Sequence, residues 1–142
     1  MAATLATARA QVEERLIDPT NLIYATATLD EALKAALGEI SNAYGSAVAL
    51  KDLDGAAATT FDDEDLIALI TGAAAYALRF RTIEKYEEAS PTREDLDEIA
   101  RIAAVTMEEF QGLLTHIRLR RFQESLENPY TSWDWDEGDS FS

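Results

Sequence analysis

From Pro91 to Glu127 the chain holds no helix breaker apart from one tolerated glycine, Gly112, and this run limits the folds open to it. Pro91 suits a first helical turn, Ser90 or Thr92 can cap it, and Glu94 and Asp95 set negative charge at the positive helix end. Leu96, Ile99, Ala103, Thr106, Phe110, Leu113 and Ile117 then recur at alternating three- and four-residue steps. Such a seam faces a neighbouring helix, as in antiparallel bundles and coiled coils. About 36 residues at ~1.5 Å rise predict a rod of roughly 54 Å, longer than the folding of one small domain requires.

The seam changes character after Ile117. Its next positions fall on Arg120, Arg121 and Glu124, while the apolar residues shift to Leu119, Phe122 and Leu126. Leu119 lies about 200° around the helix from Ile117 at ~100° per residue. The last turns therefore show a second apolar stripe, expected to meet another subunit or a partner. At Asn128-Pro129 the helix ends and a short tail follows, dividing the chain into a helical unit of residues 1–127 and a tail of residues 128–142.

The rest of the chain reads as helices that pack on this rod. Leu5, Ala8, Val12 and Leu16 share one face of a short helix over about residues 3–17, which Asp18-Pro19 stops. Leu22, Ile23 and Tyr24 form a brief extended segment. Thr28-Leu29-Asp30-Glu31 has the spacing of a capping box, so a second helix is expected to start at Thr28. Its buried face is Leu29, Leu33, Leu37, Ile40 and Tyr44, and Gly45 ends it. Residues 46–60 predict an extended loop or weak hairpin turning at Asp54-Gly55. Phe61-Asp62-Asp63-Glu64-Asp65 opens a third helix, apolar on nearly all sides from Leu66 to Ala75 and hence central. It returns through a short turn as the long fourth helix. The predicted fold is an all-α bundle of about four helices, dominated by a helix 3–helix 4 hairpin.

Composition narrows the function. A hydrophobic fraction of 47%, with three prolines and six glycines, predicts a folded domain. The net charge of −15, from 27 acidic and 12 basic residues, opposes free binding of nucleic-acid phosphates. The absence of cysteine excludes disulfides and thiolate metal sites. No basic-then-apolar leader opens the chain, and the run Leu66–Leu78 is shorter than the ~20 residues of a membrane span, so a soluble cytosolic product is expected. His116 has no second histidine to join it, and no phosphate-cradling glycine loop occurs. The acids of residues 62–65 lack the alternation of a calcium loop and read as partners of the helix dipole. We therefore expect no enzyme, no metal and no cofactor.

Two features point to partners. Arg118, Arg120 and Arg121 form the main basic cluster, with Arg79 and Arg81 a smaller one, and suit pairing with acids of another subunit. The tail carries both tryptophans, Trp133 and Trp135, with Tyr130 and Phe141, among acids. Solubility does not call for that placement. Aromatics of this kind anchor interfaces, so the tail is expected to bind a partner.

Arg15-Leu16 with Asp18-Pro19, the aromatic Tyr24, Thr28-Leu-Asp-Glu-Ala-Leu33, Ala36-Leu37 and Tyr44 resemble the head–tail connector (adaptor, or head-completion) proteins of tailed phages. Tyr24 stands where a tryptophan is common in that family, and the matching stretch covers about a third of the chain. The resemblance implies a small α-helical virion protein, made in the host cytoplasm, that forms a homo-oligomeric ring, commonly of twelve copies, under the portal. The ring extends the DNA channel, lets DNA pass through an acidic lumen without specific binding, and docks the next neck or tail protein. By the same resemblance Tyr130, Trp133, Trp135 and Phe141 are portal anchors, and Arg118, Leu119, Arg120, Arg121, Phe122 and Leu126 form the subunit interface. A different reading of the same charge is an acidic helical regulatory module that mimics DNA or sequesters a basic protein.

Overall fold

The computed structural model describes residues 3–16, 24–87 and 93–127. They contain four helices: α1 (Leu5–Arg15), α2 (Thr26–Tyr44), α3 (Leu66–Glu87) and α4 (Arg93–Glu127). The all-α bundle expected from the sequence is the observed fold. The expectations for Asp18-Pro19, Leu22, Ile23, the Ser90-Pro91 opening and the tail from Asn128 lie outside the described residues.

The α3–α4 hairpin organises the core. Asp65 meets Arg120, Gly72 meets Phe110, and Ile83 lines one groove with Ala100 and Ala103. Ascending positions on one helix thus face descending positions on the other, so the pair is antiparallel. Phe110, Leu114 and Ile117 are fully or almost fully buried, and Thr106 nearly so. Leu113, the residue expected in the seam, is only half-buried beside fully buried Leu114. Packing at this level selects the neighbour because the apolar arc there is wider than a single row.

At Gly72 the ring of Phe110 packs directly on the α3 backbone. A Cβ placed there would stand 2.6 Å from Cε1 and Cζ of Phe110. The ring fills the space a side chain would take, and Tyr76 packs its edge on the same ring at 6.4 Å and 73°. Gly112 has nothing within 4 Å of its Cβ direction, so helix tolerance alone accounts for it.

The central helix is α3, as its uniform apolarity predicts: every residue from Ala68 to Ala75, Gly72 included, is buried, and so is Ala77. Over Asp63–Ile83 it is long and apolar enough to cross a membrane by length and composition, beyond the 13-residue run read from the sequence. Half of that window is buried inside the bundle, as befits a core helix.

Two local expectations need correction or refinement. Helix α2 begins at Thr26 with Ala25 as its cap residue, and Leu29 N–H already donates to Ala25 O at 3.1 Å. Thr28 is therefore inside the first turn, where its hydroxyl cannot act as an N-cap. Asp30 instead receives Arg9 in a two-pronged bond of 2.6 and 2.8 Å, tying α1 to α2, and Glu31 pairs with Lys34. A capping box does form, at Thr4 and Thr7 ahead of α1. Gly45 ends α2 in the left-handed conformation at φ 79°, as read from the sequence.

The 46–60 segment is a pinned loop. Thr60 N–H donates to Ala49 O and Thr60 Oγ1 accepts from Ala49 N–H, while Thr59 Oγ1 accepts from Lys51 N–H and donates to Ala3 O. Asp54 and Gly55 both take positive φ, as the Asp-Gly turn signal predicts. Leu50, Leu53 and Phe61 bury beneath it, so threonine side chains replace the ladder that an alanine-rich strand forms poorly.

Candidate functional site

One end of the hairpin carries a polar cluster built from three elements. Tyr44 closes α2, Asp65 ends a short 3-10 turn (Asp63–Asp65) ahead of α3, and Arg120 stands one turn beyond Ile117 on α4. Arg120 Nη1 and Nη2 donate to Asp65 Oδ1 and Oδ2 at 2.8 and 2.6 Å. The Tyr44 hydroxyl donates to Asp65 and accepts from Asp62 N–H at 3.0 Å. Glu64 lies 3.1 Å from Arg120, and Arg121 places its guanidinium 4.5 Å above the Tyr44 ring. Asp65 has only 4% of its side chain exposed and Arg120 19%, so the ion pair is largely out of water.

The electrostatics follow from that burial. Burial raises the Asp65 carboxyl, but the Arg120 fork and the Tyr44 hydroxyl outweigh it and hold the carboxyl below the usual carboxylate range. The bond to Asp65 pushes Arg120 up from an already high value. Burial, then the bond to Asp65, pushes the Tyr44 phenol up to about 12. The fold holds the neutral phenol, so this contribution is complete below the ordinary pKa of about 10 and is lost as pH rises toward 12. An ultraviolet titration should show a tyrosine step at about pH 12, and Tyr44→Phe should remove it. A single tyrosine wave near pH 10 would count against the cluster.

Chemically this cluster is a clasp. Both carboxylate oxygens of Asp65 are engaged, and the adjoining cavity of about 120 Å³ is small and bounded by Ile67, Leu113 and His116. Arg120 Nε is buried without a hydrogen-bond partner, with Glu124 at 3.7 Å. Among the described residues no three His, Asp or Glu side chains converge to hold a metal ion.

The predicted interface residues divide. Arg120 and Arg121, expected to bridge subunits, are engaged inside the chain. Position 120 continues the seam, three residues past Ile117, so it faces α3 rather than a neighbour. Arg118 is exposed. Leu119, Phe122 and Leu126 stand 56%, 60% and 61% exposed directly after buried Ile117, as the change of stripe predicts. Tyr130, Trp133, Trp135 and Phe141 lie outside the described residues. Sequence reasoning missed the Tyr44–Asp65–Arg120 clasp. A signal was present: a charged residue on a buried seam calls for a charge opposite, and the antiparallel partner of α4 opens with four acids.

A second surface lies at the other end of the hairpin. Arg79, Thr82, Ile83, Ala100, Ala103, Ala104 and Met107 line an open groove of about 460 Å³ between α3 and α4. A neighbouring groove of about 440 Å³ between α2 and α3 shares Ile83 and adds Phe80. Ile83 is 52% exposed, and Ile102 and Val105 are exposed nearby on α4. Compared with known proteins, the chain matches no family model, no curated protein and no solved structure.

Proposed function

We propose that this chain is a structural assembly protein without catalysis, a ring-forming head–tail adaptor of the phage neck. The observation that carries the assembly reading is the α4 stripe. Leu119, Phe122 and Leu126 remain in solvent at the end of a 35-residue helix of about 52 Å. Large apolar side chains clustered in water mark a surface meant to be covered. Arg118 beside them can pair with the acid excess of a second copy. The adaptor identity rests on the resemblance of the first half of the chain, and the phage-neck location on that identity. A net charge of −15 repels DNA phosphates and suits a channel through which DNA passes without adhering. Tyr130, Trp133, Trp135 and Phe141 are proposed to anchor the ring on the portal.

Mass measurement of the full chain, alone and mixed with the portal protein of the same virus, tests this reading. A ring-sized species or a portal complex is expected. Phe122→Asp with Leu126→Asp should reduce ring formation at least tenfold without loss of helicity, since both positions are exposed. Deleting residues 128–142 should abolish portal attachment. A chain that stays monomeric under both conditions overturns the adaptor, and capture of a basic protein by that monomer would favour the sequestering module.

A further inference from the structure

We infer that the α3–α4 groove around Ile83 is the seat for the acidic aromatic tail of a second copy of this chain. The groove is apolar where Ile83, Ala103, Ala104 and Met107 line it, and alanines keep it open for a broad side chain. Among the described residues Arg79 is the one charged side chain in its lining and sets a positive charge in the wall. The tail has the complementary composition. Residues 128–142 hold Trp133 and Trp135, four acids (Asp134, Asp136, Glu137, Asp139), and no lysine or arginine. Indoles entering the groove with carboxylates beside Arg79 satisfy both features.

Reach decides which copy supplies the tail. Met107, the nearest groove residue to the end of α4, lies twenty positions before Glu127, about 30 Å along the helix axis. Ala103 lies about 36 Å away. Trp133 and Trp135 follow Glu127 by six and eight residues, at most about 22 and 29 Å of extended chain. Only a tail doubled straight back at full extension brings Trp135 to the Met107 edge, and neither residue's backbone spans the distance to Ala103 in the middle of its own groove. A neighbour's tail can reach it, and such a head-to-tail contact repeats into a ring if the rotation closes. The inference does not depend on a portal, although a portal that binds the tail would compete with the groove for it.

Trp133 and Trp135 are the only indoles in the chain, so tryptophan emission reports the tail alone. In the full-length protein, emission should shift to the blue as concentration rises and copies associate. Ala104→Glu, at an exposed position, should keep the emission red and weaken association roughly 30-fold or more. Ile83→Asp, at a position 52% exposed, is the second groove variant should the first lose helicity. The decisive mixture combines the Ala104→Glu protein with one carrying Trp133→Ala and Trp135→Ala. The second is dark but has an intact groove, so the indoles of the first should turn blue only on mixing. Emission that stays red in the wild type at every concentration, or in the mixture, overturns the inference. So does blue emission from an Ala104→Glu protein measured alone. A failed portal test with blue emission in the mixture would sink the adaptor and leave the groove contact standing.

Discussion

Arg120→Ala should lower the unfolding free energy by about 3–5 kcal/mol, the usual consequence of removing one partner from a buried ion pair. The total for a domain of this kind is about 5–15 kcal/mol, so the loss is severe. Asp65 would keep its place beside the core with the Tyr44 hydroxyl and the more distant charge of Arg121 left to stabilise it. The pH dependence separates this cause from simple loss of packing. In the wild type the Asp65 carboxyl is held low, so its contribution is present above about pH 4 and disappears as pH falls through its depressed value. In Arg120→Ala, burial acts with far less opposition and lifts that carboxyl above its unfolded value. The variant should therefore recover stability as pH falls from 7 toward 5. Adding Asp65→Asn should recover part of the loss at pH 7. Urea unfolding followed by circular dichroism at both pH values measures this. A loss under about 1 kcal/mol, or an equal loss at both, would show that the clasp does not stabilise the hairpin.

The second large effect belongs to the Gly72–Phe110 contact. Phe110→Ala should cost about 3–5 kcal/mol, because the ring is fully buried and packs against the α3 backbone at Gly72. Replacing a mid-helix glycine by alanine ordinarily stabilises by up to ~1 kcal/mol. Gly112→Ala, with open space around it, should behave that way. Gly72→Ala should do the opposite and cost about 2 kcal/mol, since the new methyl would strike a ring that has nowhere to move. In the Phe110→Ala background the clash vanishes, and Gly72→Ala should become neutral or stabilising. A double-mutant cycle in urea reads this coupling directly. Additive effects of the two substitutions would refute the contact.

Much of the fold was legible because it depends on local periodicity. The apolar spacing of Leu29, Leu33 and Ile40, the stop at Gly45 and the long seam ending at buried Ile117 all follow from a 3.6-residue period. The start of α2 was not legible, since Thr28-to-Glu31 spacing fits a capping box wherever it occurs. Only the Leu29-to-Ala25 bond shows that the helix had begun earlier.

The candidate surfaces divide along the same line. Exposure of Leu119, Phe122 and Leu126 could be anticipated, because two residues of helix move a side chain to the far side of the rod. The fate of Arg118, Arg120 and Arg121 could not. Three nearby arginines look alike in sequence, yet one reaches Asp65 across the hairpin, one covers Tyr44, and one remains in water. Their separation depends on the angle of α4 against α3 and on which acid the antiparallel register brings opposite, both properties of the assembled pair.

The sequence by itself determined that this chain is an all-α, strongly acidic protein built on a long fourth helix, because periodicity and charge are properties of neighbouring residues. Tertiary structure alone decided that Arg120 is a buried clasp rather than a free cation, that Gly72 makes room for Phe110, and that an apolar groove with Arg79 in its wall opens around Ile83. Each of these joins residues between about 20 and 55 positions apart, and only packing of the helices brings them together.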